Sequence, residues 1–218
     1  MIPEGVLAFG LLSLTSLFAI TNPLTAAPIY LALTESQTPE HRLRTLRTAI
    51  LTGAVVLVVF TLLGGAIFQL FGITIDAFRI AGGIIIFGIA IDMLQARRSR
   101  VKSTEEEEEE GMEKDEVGIT PLGIPMFVGP GAITTVMVLA GDAATLPFVA
   151  ALFLSIGIVL GILYLVLRAS PYLTGLLGQT GVNVLTRIMG LLLAVIAVQF
   201  IIDGVRAVAL DVLRTAGS

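Results

Sequence analysis

Six long apolar stretches dominate the chain, at about residues 5–34, 46–71, 77–96, 119–140, 146–167 and 185–207, parted by polar connections. Each is near the ~20 residues a helix needs to cross a bilayer, except that the first is overlong and is expected to tilt, kink or extend past the membrane. A soluble domain has nowhere to put so much hydrocarbon: 56% of the 218 residues are hydrophobic, 14% are charged, and mean hydropathy is +0.97. The runs lack the alternation of outer-membrane strands, and the lipid core offers backbone groups no partners. Helices are therefore expected throughout.

Two stretches are broken at matching places. Asn22-Pro23 interrupts the first and Gly129-Pro130-Gly131 the fourth, with Pro23 and Pro130 107 residues apart. The third stretch of each half opens alike, Arg79-Ile80-Ala81-Gly82-Gly83 and Arg187-Ile188-Met189-Gly190-Leu191, at an offset of 108. A near-constant offset over such a distance argues for duplication. Three crossings per copy is an odd number, so the second copy enters the membrane upside down, about a pseudo-two-fold axis in the membrane plane. The sequence thus predicts an all-α membrane protein of six transmembrane helices, arranged as two inverted three-helix repeats with discontinuous first and fourth helices. Residues 1–96 form the first repeat, 97–117 an acidic linker and 118–218 the second repeat.

The formal net charge of −4 resides in that linker, where Arg97, Arg98, Arg100, Lys102 and Lys114 face nine acids, including the run Glu105 to Glu110. Such a segment is expected to be disordered and solvated. Basic residues also set orientation: Arg42, Arg44 and Arg47 follow the first stretch, the linker cations follow the third, and Arg168 follows the fifth. Both termini are then expected outside, with the linker cytoplasmic, in a multi-pass protein of the cytoplasmic membrane. The start Met1-Ile2-Pro3-Glu4 has no basic n-region, so the first stretch is expected to be retained rather than cleaved as a signal peptide.

Asparagine is a preferred N-cap and proline a preferred first helical residue, so Asn22-Pro23 reads as a helix starting within the membrane, with Gly129-Pro130 its counterpart. Each start would offer amides near Thr25 and Ala26, or near Ala132 and Ile133. Each preceding half-helix would offer carbonyls near Ile20 and Thr21, or near Phe127 and Val128. Donors suit a carboxylate and acceptors suit an ammonium group, which together describe a zwitterion. The candidate substrate-binding residues are Thr21, Asn22, Pro23, Thr25, Ala26, Val128, Gly129, Pro130, Gly131, Ala132 and Thr134, with Ser13, Thr15, Ser16 and Thr135 as further hydroxyls. A lone Asn-Pro would ordinarily be a tolerated kink. Its duplication favours a site.

Asp92, Gln199 and Asp203 lie within or near the ends of apolar stretches and are candidates for ion coupling, against the alternative of satisfied interfacial groups. Arg79 departs from the positive-inside pattern, which suggests a packing or gating partner, against the alternative of an interfacial anchor. Glycines such as Gly64, Gly65, Gly82, Gly83, Gly157 and Gly161 are expected at close helix contacts. The chain has no cysteine, its one histidine, His41, lies in a polar connection, and no nucleotide-binding loop is present. No enzyme, cofactor, metal or nucleic-acid partner is expected.

Three segments resemble the MarC family: Asn22 to Ile29, Ile124 to Thr135, and Arg187 to Gly190 with Gln199 to Gly204. The similarity extends over essentially all of the chain outside the linker, and Gly129-Pro130-Gly131-Ala132-Ile133-Thr134-Thr135 is its most specific part. The resemblance implies a six-span protein of the cytoplasmic membrane, discontinuous at Asn22, Pro23, Gly129, Pro130 and Gly131, with relatives that transport glycine and alanine. The expected function is a secondary transporter of small neutral amino acids working by alternating access, driven by an H+ or Na+ gradient and surrounded by lipid. An exporter or channel for another small solute is the first alternative, and a non-transport membrane scaffold the second.

Overall fold

A computed structural model describes residues 5–35, 37–96 and 118–216; the expected linker at 97–117 lies outside the described residues. The elements are α1 (Val6–Thr21), α2 (Pro23–Leu33), α3 (Pro39–Phe71), α4 (Ile75–Leu94), α5 (Gly118–Phe127), α6 (Pro130–Asp142), α7 (Leu146–Arg168) and α8 (Ser170–Ala216). No strand occurs among the described residues.

The helix ends follow local chemistry. Thr38 caps α3 by accepting from the His41 amide, with Pro39 at the first helical position, so α3 begins seven residues before its apolar stretch and takes in His41. It closes at Gly72, whose φ of 62° places it in the left-handed region. The Ile73 amide reaches back to Phe68 O at 2.9 Å and the Gly72 amide to Gln69 O at 3.3 Å, satisfying carbonyls the helix leaves open. With 33 residues α3 runs to about 50 Å, longer than the ~30 Å hydrocarbon layer, and Arg42, Arg44 and Arg47 fall in its first three turns. Arg42 folds back so that Nη2 donates to Thr34 O at 2.9 Å, while the Tyr30 hydroxyl donates to Arg42 O at 3.1 Å. The turn between α2 and α3 is thereby locked.

Among the described residues five segments are long and apolar enough to cross a membrane: Val6–Leu33, Pro39–Phe71, Ile75–Leu94, Leu146–Arg168 and Thr180–Leu213. The expected fourth span is not among them. It is divided into α5, 10 residues in π winding, and α6, 13 residues. Pro130 has no amide hydrogen to continue a ladder, and the Val128 amide bonds five residues back to Gly123 O at 3.2 Å. At 1.5 Å per residue α6 covers about 20 Å, short of the ~30 Å hydrocarbon core.

The outside of the bundle is hydrocarbon, with Leu7, Leu51, Leu70, Leu146, Leu154 and Leu165 all exposed. Those faces suit lipid, and the core holds Leu17, Ile20, Leu57, Ile86, Ile89, Phe127, Leu139, Leu152 and Leu163. Helix α1 packs on α7, α3 on α5 and α6, α2 on α7 and α8, and α6 on α4. The most extensive interface joins α4 and α8, which run antiparallel: Gly204 lies against Asp76 and Ile80, Gly83 against Ala197 and Ile201, and Gly190 against Ala90 and Leu94. The glycine expectation holds for Gly64, Gly82 and Gly83, which face Met137, Thr134 and α8. It is corrected for Gly65, Gly157 and Gly161, where an added Cβ would meet nothing within 4 Å because these positions point away from neighbouring helices.

Candidate functional site

The two breaks meet in the interior. A Cβ added to Gly131, in the first turn of α6, would lie 2.7 Å from Ile20 Cδ1 and 2.9 Å from Ile89 Cδ1. Ile20 belongs to the last turn of α1, two residues before Asn22. Helix start and helix end therefore face each other in close contact, and a side chain at Gly131 would require Ile20 and Ile89 to shift. Val128, just before the second break, packs against Gly53 of α3, and Thr134 against Gly82 of α4.

Local geometry corrects the capping expectation. Asn22 adopts φ 43° and ψ 70°, left-handed, and serves at once as C-cap of α1 and N-cap of α2. A side-chain N-cap requires an extended backbone, so the Asn22 carboxamide accepts no capping bond. Its Nδ2 donates instead to Thr25 Oγ1 at 2.5 Å. Gly129 does have the extended backbone of an N-cap, φ −88° and ψ −178°, but no side chain to use it. The amides at Ala26, Ala132 and Ile133, expected to face a ligand, are committed: Ala26 to Asn22 O at 3.2 Å, and Ala132 and Ile133 to Gly129 O at 3.0 and 3.1 Å. Ligand donors would have to come from earlier in each first turn, at Thr25 and Gly131.

Thr21, Asn22, Pro23, Ala26, Val128, Gly129, Gly131, Ala132 and Thr134 are all buried, and Thr25 is half-buried. Pro130 is exposed and turns its ring away from this interior. The Thr21 hydroxyl donates to Leu17 O at 2.9 Å and that of Thr135 to Gly131 O at 2.8 Å, so their protons are used within their own helices. Three buried oxygens on or next to α1, Ser13 Oγ, Ser16 Oγ and Asn22 Oδ1, have no hydrogen-bond partner. Buried polar atoms are normally paired, so these mark where a ligand or water would be accepted.

Thr186 on α8 joins the first break although no break or cap in the sequence marks it. Its Oγ1 lies 2.7 Å from Thr25 Oγ1 and is 4% exposed as a residue. The signal available was its position just before Arg187, at the head of the repeated segment.

The ion-coupling candidates are not gathered at the breaks. Gln199 is exposed and its Nε2 donates to Asp203 Oδ1 at 2.8 Å along α8, while Asp92 is half-buried near the end of α4. Asp203 belongs electrostatically to a different group, because its charge and that of Asp76 both act on Asp142. At the centre of that group is Arg79, whose side chain is 12% exposed and pairs with Asp142 and, at 3.4 Å, with Asp76. Arg79 thus has the packing partner that one of its two readings expects. A groove of about 660 Å³ lies nearby at the ends of α4 and α8, lined by Thr74, Asp76, Ala207, Leu210 and Asp211, away from the breaks.

An apolar exterior, membrane-length helices and two broken helices apposed in the core define a polytopic integral membrane protein. The chain belongs to the MarC family: the model for MarC family integral membrane proteins matches residues 7–209. The UPF0056 membrane protein YvbG of Bacillus subtilis is 42% identical over 192 residues, covering 88% of this chain and 91% of that protein. The UPF0056 membrane protein YhcE of Escherichia coli is 37% identical over 192 residues, 88% of this chain and 89% of that protein. A UPF0056 membrane protein of Methanocaldococcus jannaschii is 37% identical over 204 residues, 94% of this chain and 99% of that protein. No solved structure matches significantly.

Proposed function

We propose that this protein is a secondary transporter of small neutral amino acids, of the glycine and alanine class, working by alternating access under an H+ or Na+ gradient. The observation that carries the reading is the apposition of the breaks, with Gly131 against Ile20 and the unpartnered Asn22 Oδ1 beside them. A substrate ammonium group would donate to that oxygen, and its carboxylate would accept from first-turn amides at Thr25 and Gly131. The tight packing of Ile20 and Ile89 on Gly131 favours a small ligand. Burial of the site on this scale calls for movement of one part against another to admit a ligand.

Six crossings in two inverted repeats, residues 1–96 and 118–218 joined by a cytoplasmic linker at 97–117, fit this reading, with α5 and α6 together as the fourth crossing. Exchanging α1–α4 with α5–α8 turns the α1–α7 contact into α5–α3, turns α2–α8 into α6–α4, and returns α4–α8 to itself, and all of these pairs are in contact. That is the relation a two-fold axis between repeats requires. Both termini would lie outside the cytoplasmic membrane, with Arg42, Arg44, Arg47 and Arg168 inside. The test is uptake or counterflow of radiolabelled glycine by protein reconstituted in liposomes, with proton and sodium gradients imposed in turn. Glycine accumulation under one gradient is expected, and no flux of any small neutral amino acid under either would overturn the reading.

A further inference from the structure

Asn22, Thr25, Thr186 and Val182 form a hydrogen-bonded chain whose direction is fixed. The Thr186 hydroxyl donates to Val182 O at 2.8 Å, which spends its only proton. In the 2.7 Å contact with Thr25 it must therefore accept, so Thr25 is the donor there. With its own proton spent, Thr25 Oγ1 accepts from Asn22 Nδ2 at 2.5 Å. Asn22 is 2% exposed and its Oδ1 has no partner. The chain thus turns the amide end of Asn22 toward α8 and leaves the oxygen end facing the first break.

We propose that Thr186 is a positioning residue: acting through Thr25, it holds the Asn22 carboxamide so that Oδ1 accepts a hydrogen bond from the ammonium group of a small amino acid. The inference rests on the transport reading for its ligand, but its geometry stands on the three bonds alone. It also joins the site to the opposite half of the chain, since Thr186 lies 161 residues from Thr25. A movement of α8 against α2 that broke the Thr25–Thr186 bond would free the carboxamide to rotate, and the oriented acceptor would be lost. Ligand binding would then favour the arrangement in which α8 is docked on α2, because only that arrangement presents the oxygen.

The experiment compares Thr186→Val, which removes the hydroxyl at nearly constant shape, with Thr186→Ser, which keeps it. In proteoliposomes, Thr186→Val is expected to raise the apparent KM for glycine about tenfold, the loss of one oriented hydrogen bond, with the change falling on KM more than on the maximal rate. Thr186→Ser is expected to restore the KM. An unchanged KM in Thr186→Val, or an equal loss in both variants, overturns the proposal. If the unsubstituted protein moves no glycine, the transport reading has failed by itself, and positioning is read from thermal unfolding of detergent-solubilised protein. There the shift in Tm caused by Thr186→Val is expected to shrink in a Thr25→Val background, the mark of one coupled chain, while additive shifts overturn it.

Discussion

At the scale of the residue, Asn22 combines two roles that can be separated. It tolerates a left-handed backbone, φ 43°, that costs most other residues about 1–2 kcal/mol, and it supplies a buried carboxamide. Asn22→Gly keeps the backbone and deletes the carboxamide, whereas Asn22→Ala forfeits both. In thermal unfolding both variants lose the carboxamide's bond to Thr25, and Asn22→Ala is expected to fall below Asn22→Gly by a further ~1–2 kcal/mol, while both lose glycine uptake. Equal stability of the two variants would show that the strained conformation is not what the asparagine is there for. The Asn-Pro pair was legible as a helix break because proline lacks an amide hydrogen whatever surrounds it. The mode of capping was not, because it depends on whether the asparagine backbone is extended or left-handed, which neighbouring helices decide.

At the scale of the element, glycine content was readable but its purpose at each position was not. Gly83 and Gly65 both sit in long apolar helices, yet a methyl on Gly83 would lie 2.8 Å from the Ala197 carbonyl oxygen, while one on Gly65 would meet nothing within 4 Å. Backbone cannot swing aside as a side chain can, so Gly83→Ala is expected to lower stability by about 1–3 kcal/mol through a forced separation of α4 from α8. Gly65→Ala is expected to raise it by up to about 1 kcal/mol, because alanine has the better helix propensity. Denaturation of the two variants in the same detergent checks this, and a stabilising Gly83→Ala would contradict the close α4–α8 packing. Helices α4 and α7, and α3 from residue 46 onward, were legible from hydropathy because each is a continuous apolar run. The break of the fourth stretch at Gly129-Pro130 was legible for the same reason as the first, but the π winding of α5 was not, since an apolar run does not say whether an amide bonds four or five residues back.

At the scale of the whole molecule, the partner of Arg79 lies 63 residues away in the chain, and no local pattern could have named Asp142. The anomaly that singled out Arg79, its departure from the expected positive-inside pattern, coincides with an ion pair joining the first turn and a half of α4 to the end of α6. Helix α6 begins at the second break, so the pair ties one end of the molecule to the proposed site. In the proposed repeat Arg187 would be the counterpart of Arg79, at an offset of 108, and it is exposed. If the repeats rock about the breaks, the Arg79–Asp142 contact must open once in every cycle, and a bridge across it should hold the molecule in one arrangement. The absence of cysteine makes the test clean. In an Arg79→Cys/Asp142→Cys protein, a short bismaleimide linker is expected to suppress glycine exchange across the membrane by at least about tenfold, while the same protein without linker still exchanges. Binding of glycine from the one side left accessible should persist in the linked protein, because the bridge leaves Asn22 and Gly131 untouched. Exchange at the unlinked rate after complete cross-linking would mean that α4 and α6 stay together throughout transport, and the moving boundary would then have to lie elsewhere, along α2 and α8 where Thr25 meets Thr186.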